Sequence, residues 1–336
     1  KVFTPFYRRG CLNASPPRSP EPPTSMKFVE NDSKGETHID DLNLLTNKYW
    51  EKSIINDWRV GEMGAKERLT EFIKNEIADY KEGRNFPVKA NVSRLSPYLH
   101  WGEISPNTVW YAAKQKIEFN PHLEKDIGHF LSELGWREFS NSLLYHFPEL
   151  PKTNLQSKFD SFPWTTDESL LRAWQTGQTG YPIVDAGMRQ LWQTGYMHNR
   201  LRMIVGSFLV KNLLLHWHHG ESWFWDCLFD ADLANNSAGW QWIAGCGADA
   251  APYFRIFNPI TQGKKFDPEG VFVRRFIPEL ENLPNSVLFS PWEASTELLD
   301  KCKVKLGETY PKPIVDLKVS RERALEAFSS LKTPIT

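Results

Sequence analysis

The chain has little cysteine, no long apolar run and few alternating strand patterns. Its four cysteines, Cys11, Cys227, Cys246 and Cys302, are widely separated among 336 residues and form no CxxC. That argues against a disulfide framework and against a four-cysteine metal or cluster site, and it points to a reducing cytoplasm. The longest apolar stretch, Met203 to Leu215, is too short for a bilayer and carries Lys211, so no membrane partner is expected. Lys1 opens into Val-Phe-Thr-Pro-Phe-Tyr without a long apolar segment, so no signal peptide is expected. Acidic residues are absent from Ala186 to Gly220, where Arg189, Arg200, Arg202 and Lys211 stand, although the net charge is only −1. A second basic group is Arg255, Lys264, Lys265, Arg274 and Arg275. Such segments are either solvated helix faces or a positive surface for phosphate.

Tryptophan is plentiful: 14 in one chain raises the question of stacking or electron transfer besides packing. Residues 11 to 40, with Pro16, Pro17, Pro20, Pro22, Pro23 and the polar run Asn31-Asp32-Ser33-Lys34-Gly35, predict a linker. The expected division is therefore a linker over 1–45 and a helical domain over 46–336, with a further domain expected upstream. No internal repeat is visible.

From residue 45 onward the patterns are helical, and the fold class expected is all-α. Leu69, Phe72, Ile73, Ile77 and Tyr80 predict one helix stopped by Gly83. Ser105-Pro106 predicts a helix start, as does Pro182. Asp126 to Phe147 forms a long periodic stretch. Asp167 is expected to cap a helix carrying Leu170, Leu171 and Trp174. His198 to His219 predicts one long apolar helix stopped by Gly220, with His216, His218 and His219 complementing the dipole of its last turn rather than binding metal.

Four segments carry candidate chemistry. In Val92-Ser93-Arg94-Leu95-Ser96-Pro97, Ser96 reads as an N-cap, and two hydroxyls with a guanidinium beside a helix start suit either ordinary capping or a pyrophosphate. Phe130, Glu133, Trp136 and Arg137 share one broad helix face, an interfacial salt bridge or a pocket wall. Asn199, Arg202 and Met203 share another face, with Arg200 pointing elsewhere, and a buried Asn and Arg there need partners that Asp230 and Asp232 could supply. Asp230-Ala231-Asp232 and Asn236 precede Trp240 and Trp242. Without a further acid or His cluster, neither a metal site nor a glycosidase pair is expected there.

In this order these segments resemble the photolyase and cryptochrome family, and within it the class I enzymes for cyclobutane pyrimidine dimers. Thr179-Gly-Tyr-Pro-Ile-Val-Asp-Ala-Gly-Met188 and Ala250-Ala-Pro-Tyr-Phe-Arg-Ile-Phe-Asn-Pro259 extend the resemblance over nearly the whole chain. It implies a helical FAD-binding domain, with the antenna chromophore on an N-terminal α/β domain that this chain lacks. It implies that Tyr80 and Val92, Ser93, Arg94, Leu95 and Ser96 hold the phosphate region. Phe130, Glu133, Arg137, Asn199 and Arg202 would line the cavity, and Asp230, Ala231, Asp232 and Asn236 would surround the flavin ring. Trp136 and Trp242 would wall a flipped-out dimer above Met203, with Glu133 and Asn199 also in the repair site. Arg84, Arg200, Arg255 and Gln262 would grip damaged DNA from the rim, joined by Trp136. Trp240, Trp217 and Trp164 would carry electrons between flavin and surface. The implied activity is light-driven repair of the dimer by an electron from excited, reduced FAD, in a monomeric cytoplasmic protein. Glu133, Trp136 and Trp242 speak against a cryptochrome photoreceptor, and Asn199 and Met203 against a (6-4) photoproduct enzyme. A flavin-free helical DNA-binding module is the rival from another class.

Overall fold

The computed structural model describes residues 1–21, 24–27, 38–42, 58–250 and 254–331. Among them helices alternate with irregular loops, and the only β pairing is two isolated bridges, Thr165 with Leu215 and Leu306 with Tyr310. The all-α expectation holds. Pro22, Pro23, the polar run 31–35 and the expected boundary between 45 and 46 lie outside the described residues.

The helices that matter for the site are α1 (Glu62–Glu71), α2 (Tyr80–Gly83), α3 (Pro106–Phe119), α4 (Glu124–His146), α5 (Glu168–Gln175), α6 (Pro182–Thr194), α7 (Asn199–Ser207), α8 (Trp217–Cys227), α9 (Leu233–Ala244) and α10 (Pro259–Phe266). Three of their starts follow from local chemistry visible in the sequence. The Ser105 side chain accepts from Asn107 N at 3.1 Å with Pro106 in the first turn, and Asp167 accepts from Leu170 N at 2.9 Å. Pro182 opens α6, where its missing N–H costs nothing.

The 23-residue α4 is the organising element, about 35 Å long at 1.5 Å per residue. Its first half, through Ile127, Phe130, Leu131 and Leu134, packs with Leu69, Phe72, Tyr80 and Val109 in one core. Its second half, through Phe139 and Leu143, packs with Phe3 and Leu150 in another. The largest core gathers α5 to α9 around Trp174, Leu201, Phe208, Trp217 and Trp240.

Two predicted helices are broken. The helix expected from Leu69 to Gly83 ends in a π-turn at Phe72–Glu76, and Asp79 turns left-handed at φ 60°. The cause is Asn91, whose Nδ2 donates to the carbonyls of Glu76 at 2.9 Å and Ala78 at 2.8 Å. These carbonyls are thereby withdrawn from a continuing ladder. Gly83 is the stop, but of the short α2 and not of one helix running from Leu69. It is buried against Asn91, and a side chain there would collide with the Asn91 amide.

The helix expected from His198 to His219 is also interrupted, by a π-turn at Phe208–Asn212 and a left-handed Leu214 at φ 55°. Outside donors take its last carbonyls: Arg323 bonds Asn212 O at 2.7 Å, Thr165 Oγ1 bonds Leu213 O at 3.0 Å, and Thr165 N bonds Leu214 O at 2.8 Å. Gly220 therefore lies inside α8. His216 is the N-cap of that helix, its Nδ1 accepting from His218 N at 3.2 Å. The three histidines sit at a helix start, where the dipole disfavours a cation, and not in a last turn. Burial, with His218 and His219 beside it, pushes His216 down to about 4. Trp217 consequently does not share a helix with Met203.

Candidate functional site

Two adjoining chambers, of about 590 and 310 Å³, lie between α4, α7 and α9. Glu133, Trp136, Asn199, Arg202, Asp230, Asp232 and Arg84 border both. Helical spacing on α4 delivers one wall: Phe130 is buried against Phe72 and Tyr80, while Glu133, Trp136 and Arg137 face the space. Tyr80 and Val92 to Ser96 close the smaller chamber. Met203, Asp230 to Asp232, Asn236, Trp240, Trp242 and Arg255 line the larger one.

The charged groups are arranged for a specific occupant. Arg202 Nη2 lies 2.7 and 3.0 Å from the two oxygens of Asp230, whose side chain is 5% exposed, and its Nε donates to Met197 O at 2.8 Å. Burial disfavours the Arg202 charge, and Asp230 more than restores it, leaving the group above its ordinary value. Asp232 does not share in this pairing. It caps α9, accepting from Asn235 N at 2.8 Å, with His100 Nδ1 3.7 Å away. Asn199 is exposed, so it needs no buried partner. Asn236 Nδ2 donates to Glu221 O at 2.9 Å, which fixes the amide at the chamber floor.

Beside the smaller chamber, Arg94 turns left-handed at φ 52°. Its guanidinium lies 4.4 Å from the Trp58 ring and 5.2 Å from that of Tyr196, and its Nε is buried with no partner. Ser96 is not an N-cap. It is the exposed first residue of the short helix Ser96–His100, and Ser93 Oγ accepts from Leu95 N at 3.4 Å instead.

Residues 130–330 match the family described as the FAD binding domain of DNA photolyase. The chain belongs to the DNA photolyase family. The deoxyribodipyrimidine photo-lyase of Agrobacterium fabrum is 50% identical over 333 residues, 99% of this chain and 69% of that protein. That of Escherichia coli is 42% identical over 337 residues, again 99% of this chain and 68% of the relative. Cryptochrome-2 of Arabidopsis thaliana is 43% identical, but over 277 residues, 81% of this chain. A crystal structure of a class III photolyase from Agrobacterium tumefaciens superposes with a TM-score of 0.92 at 50% identity, covering 98% of this chain and 68% of its own. The sequence pointed to class I, whereas that solved relative is described as class III; the photolyase family is common to both.

FAD is the cofactor of this family domain, and the residues present fit it. A dinucleotide needs two joined spaces and cationic donors for its pyrophosphate. The two chambers meet at Arg202, and the unpartnered Arg94 Nε with Ser93, Ser96 and Arg137 borders the smaller one.

The structure separates the residues expected on a DNA-binding rim. Arg255 is exposed and borders the larger chamber. Arg200 borders neither chamber; its Nη2 bonds Asn85 Oδ1 and its guanidinium covers Phe266 at 4.3 Å. Gln262 lies on α10 away from both chambers. Arg84 is not a rim residue. Its side chain is 14% exposed and paired with Glu133 in the partition between the chambers.

Of the three tryptophans expected to carry electrons, Trp240 borders the larger chamber and is buried against Gly220, where any side chain would overlap its ring. Trp217 is fully buried and donates to Asn154 Oδ1 at 2.9 Å. His216 lies between it and Trp164, with ring centroids 5.5 and 5.1 Å away. Sequence reasoning missed His129 and Phe3, and it read Lys211 only as part of a basic segment. His129 had a legible signal, four residues before Glu133 on the same face. Lys211 is buried, donates to Arg255 O and is pushed down to about 7 by burial and then by Arg255. Nothing in the sequence marked Phe3.

Among the described residues no group of His, Cys, Asp and Glu could hold a metal, no helix is long and apolar enough to cross a membrane, and the four cysteines are free.

Proposed function

We propose that this chain repairs cyclobutane pyrimidine dimers in DNA, driven by light, with the larger chamber receiving the flipped-out dimer. The observation that carries this reading is the convergence of Glu133, Trp136, Asn199, Met203 and Trp242 on the chamber whose floor is Asn236 and Asp230. A dimerised pyrimidine pair stacks and pairs poorly, so it leaves the duplex at lower cost than normal bases. Trp136 and Trp242 give it apolar walls, and Met203 an adaptable one. Glu133 accepts from a pyrimidine amide N–H and so fixes the dimer in the chamber, while the Arg84 cation paired with it offsets the charge of the carboxylate. When bound in its fully reduced form, FAD would supply an electron to the dimer under light and take it back once the ring has opened, so no net redox change results. Arg94, Ser93, Ser96 and Arg137 hold its phosphates, while Arg202, kept charged by Asp230, and Asn236 fix the ring system. Arg255 and Arg200, with Gln262, contact the phosphate backbone of the damaged strand, making binding salt-dependent. Trp240, Trp217 and Trp164 conduct electrons from the surface when the cofactor is oxidised.

The same reading places the chain as a monomer in a reducing cytoplasm, which the free cysteines support, with the segment 1–45 joining the helical domain 46–336 as a linker whose first turn is docked on that domain through Phe3. Light-dependent restoration of a dimer-containing oligonucleotide tests the activity. Repair should require light and bound FAD, and Glu133→Ala should lower its yield. A protein that binds FAD but leaves dimers intact under light refutes the reading.

A further inference from the structure

Four side chains form a ladder in the partition between the chambers. Tyr80 opens α2 and Arg84 follows its end, while His129 and Glu133 stand one turn apart on α4. The Arg84 guanidinium covers the Tyr80 ring at 5.3 Å, and the Tyr80 and His129 rings lie 6.1 Å apart. Arg84 Nη1 donates to Glu133 Oε1 and lies 3.1 Å from His129 Nε2. Arginine has only donors, so this contact requires a neutral imidazole with its proton on Nδ1 and a lone pair on Nε2. One nitrogen of Arg84 is thus held between a carboxylate that belongs to the repair chamber and a histidine behind it.

We propose that His129 is a positioning residue for repair: its neutral Nε2 fixes Arg84, which in turn holds Glu133 by one oxygen and leaves the other aimed at the pyrimidine. This rests on the role assigned to Glu133 above. Protonating His129 sets an N–H against the guanidinium and replaces an attraction with two adjacent cations. Arg84 then withdraws, and Glu133 loses its orientation.

The groups around His129 fix when that happens. Arg84 and Lys81 approach from α2 and its end, and Asp126 and Glu133 from α4 itself, with Asp126 Oδ1 accepting from Lys81 N at 2.9 Å. His198, on a third segment near Arg84, is neutral above about 3. Burial first and Arg84 second lower the proton affinity of His129 below its ordinary 6.5, against the opposing pull of Glu133 and Asp126. The imidazole is therefore neutral at neutral pH, and the ladder disassembles only on acidification.

The test compares holoprotein variants by repair yield per absorbed photon, with FAD content and affinity for dimer DNA measured alongside. At about pH 8, where an unperturbed imidazole is neutral, H129L should lower the yield about fivefold, a fraction of the loss expected for a direct transition-state contact. Its FAD content and DNA affinity should stay at wild-type levels. H129Q supplies a neutral acceptor at every pH, so it should restore the yield and lack the fall that wild type shows on acidification below the ordinary imidazole range. Wild-type yield in H129L, or a wild-type acid limb in H129Q, overturns the proposal. Should H129L lose its cofactor or fail to fold, the pH profile of H129Q alone decides. Should wild type not repair at about pH 8, or E133A repair normally, the assignment of Glu133 fails and takes this proposal with it. Repair in wild type, impairment in E133A and a normal H129L would refute the role of His129 alone.

Discussion

The ring of Phe3 lies flat on that of Trp136, with centroids 3.7 Å apart and planes inclined by 8°. Trp136 borders both chambers on α4, so a residue three places into the chain backs the wall proposed for the flipped dimer. Phe3→Ala should cost about 3 kcal/mol of stability by leaving a cavity behind the indole. It should also lower repair yield while FAD stays bound. Thermal denaturation with flavin content, followed by the repair assay, checks both. Unchanged repair would mean that the α4 backbone alone sets the indole.

Arg202 and Asp230 form a pair in which the acid is nearly inaccessible. Removing only the cation leaves an uncompensated buried carboxylate, at a cost of about 3–5 kcal/mol. Arg202→Ala should therefore lose FAD and melt early, whereas Asp230→Asn, which keeps a hydrogen-bond acceptor, should lose less of both. Flavin absorbance per chain and chemical denaturation measure the ordering, and the reverse ordering would refute it.

Trp240 presses on Gly220 of α8, and Trp217 lies one turn earlier on the same helix. Trp240→Phe should largely block light-driven reduction of oxidised FAD by an external thiol. The same variant should still repair dimers once its FAD is reduced chemically, and should lose about 1–3 kcal/mol of stability. Gly220→Ala, which displaces the indole without removing it, should slow photoreduction as well. Normal photoreduction in Trp240→Phe would mean that another route feeds the flavin.

Acid should destabilise the fold through one buried and one half-buried histidine, His198 and His216. Burial, then Arg84, Arg200 and Arg202, push His198 from 6.5 down to about 3, and His216 falls to about 4. Below 6.5 the unfolded chain takes up these protons and the folded chain does not. Stability is therefore full above about 6.5 and falls progressively as the pH drops toward 3–4. His198→Asn keeps a side-chain cap for Arg200 N and cannot titrate, so its denaturation midpoint should depend less on pH over this window. A slope equal to that of wild type would place the acid sensitivity elsewhere.

Binding of damaged DNA should weaken steeply with salt, and Arg255→Ala should reduce the slope by about one unit. Arg200→Ala should do the same only if Arg200 leaves Asn85 and Phe266 for the phosphate. A fixed slope in that variant would assign Arg200 to the contacts seen here.

The amino-acid sequence by itself determined the elements whose causes are local. Ser105, Asp167 and Pro182 start helices because capping and proline geometry act within one turn. The α4 face of Phe130, Glu133, Trp136 and Arg137 was legible because helical spacing alone brings those residues to one side. Where long-range donors compete with the helix, the sequence was silent. Asn91 breaks the run before Tyr80, and Thr165 and Arg323 break the run before Trp217, by capturing carbonyls from far along the chain. Only the tertiary structure set Arg84 on Glu133 and His129, 49 and 45 residues away, and laid Phe3 on Trp136. Those pairings depend on how α2 and the first residues pack against α4, and no periodicity within a single segment encodes that packing.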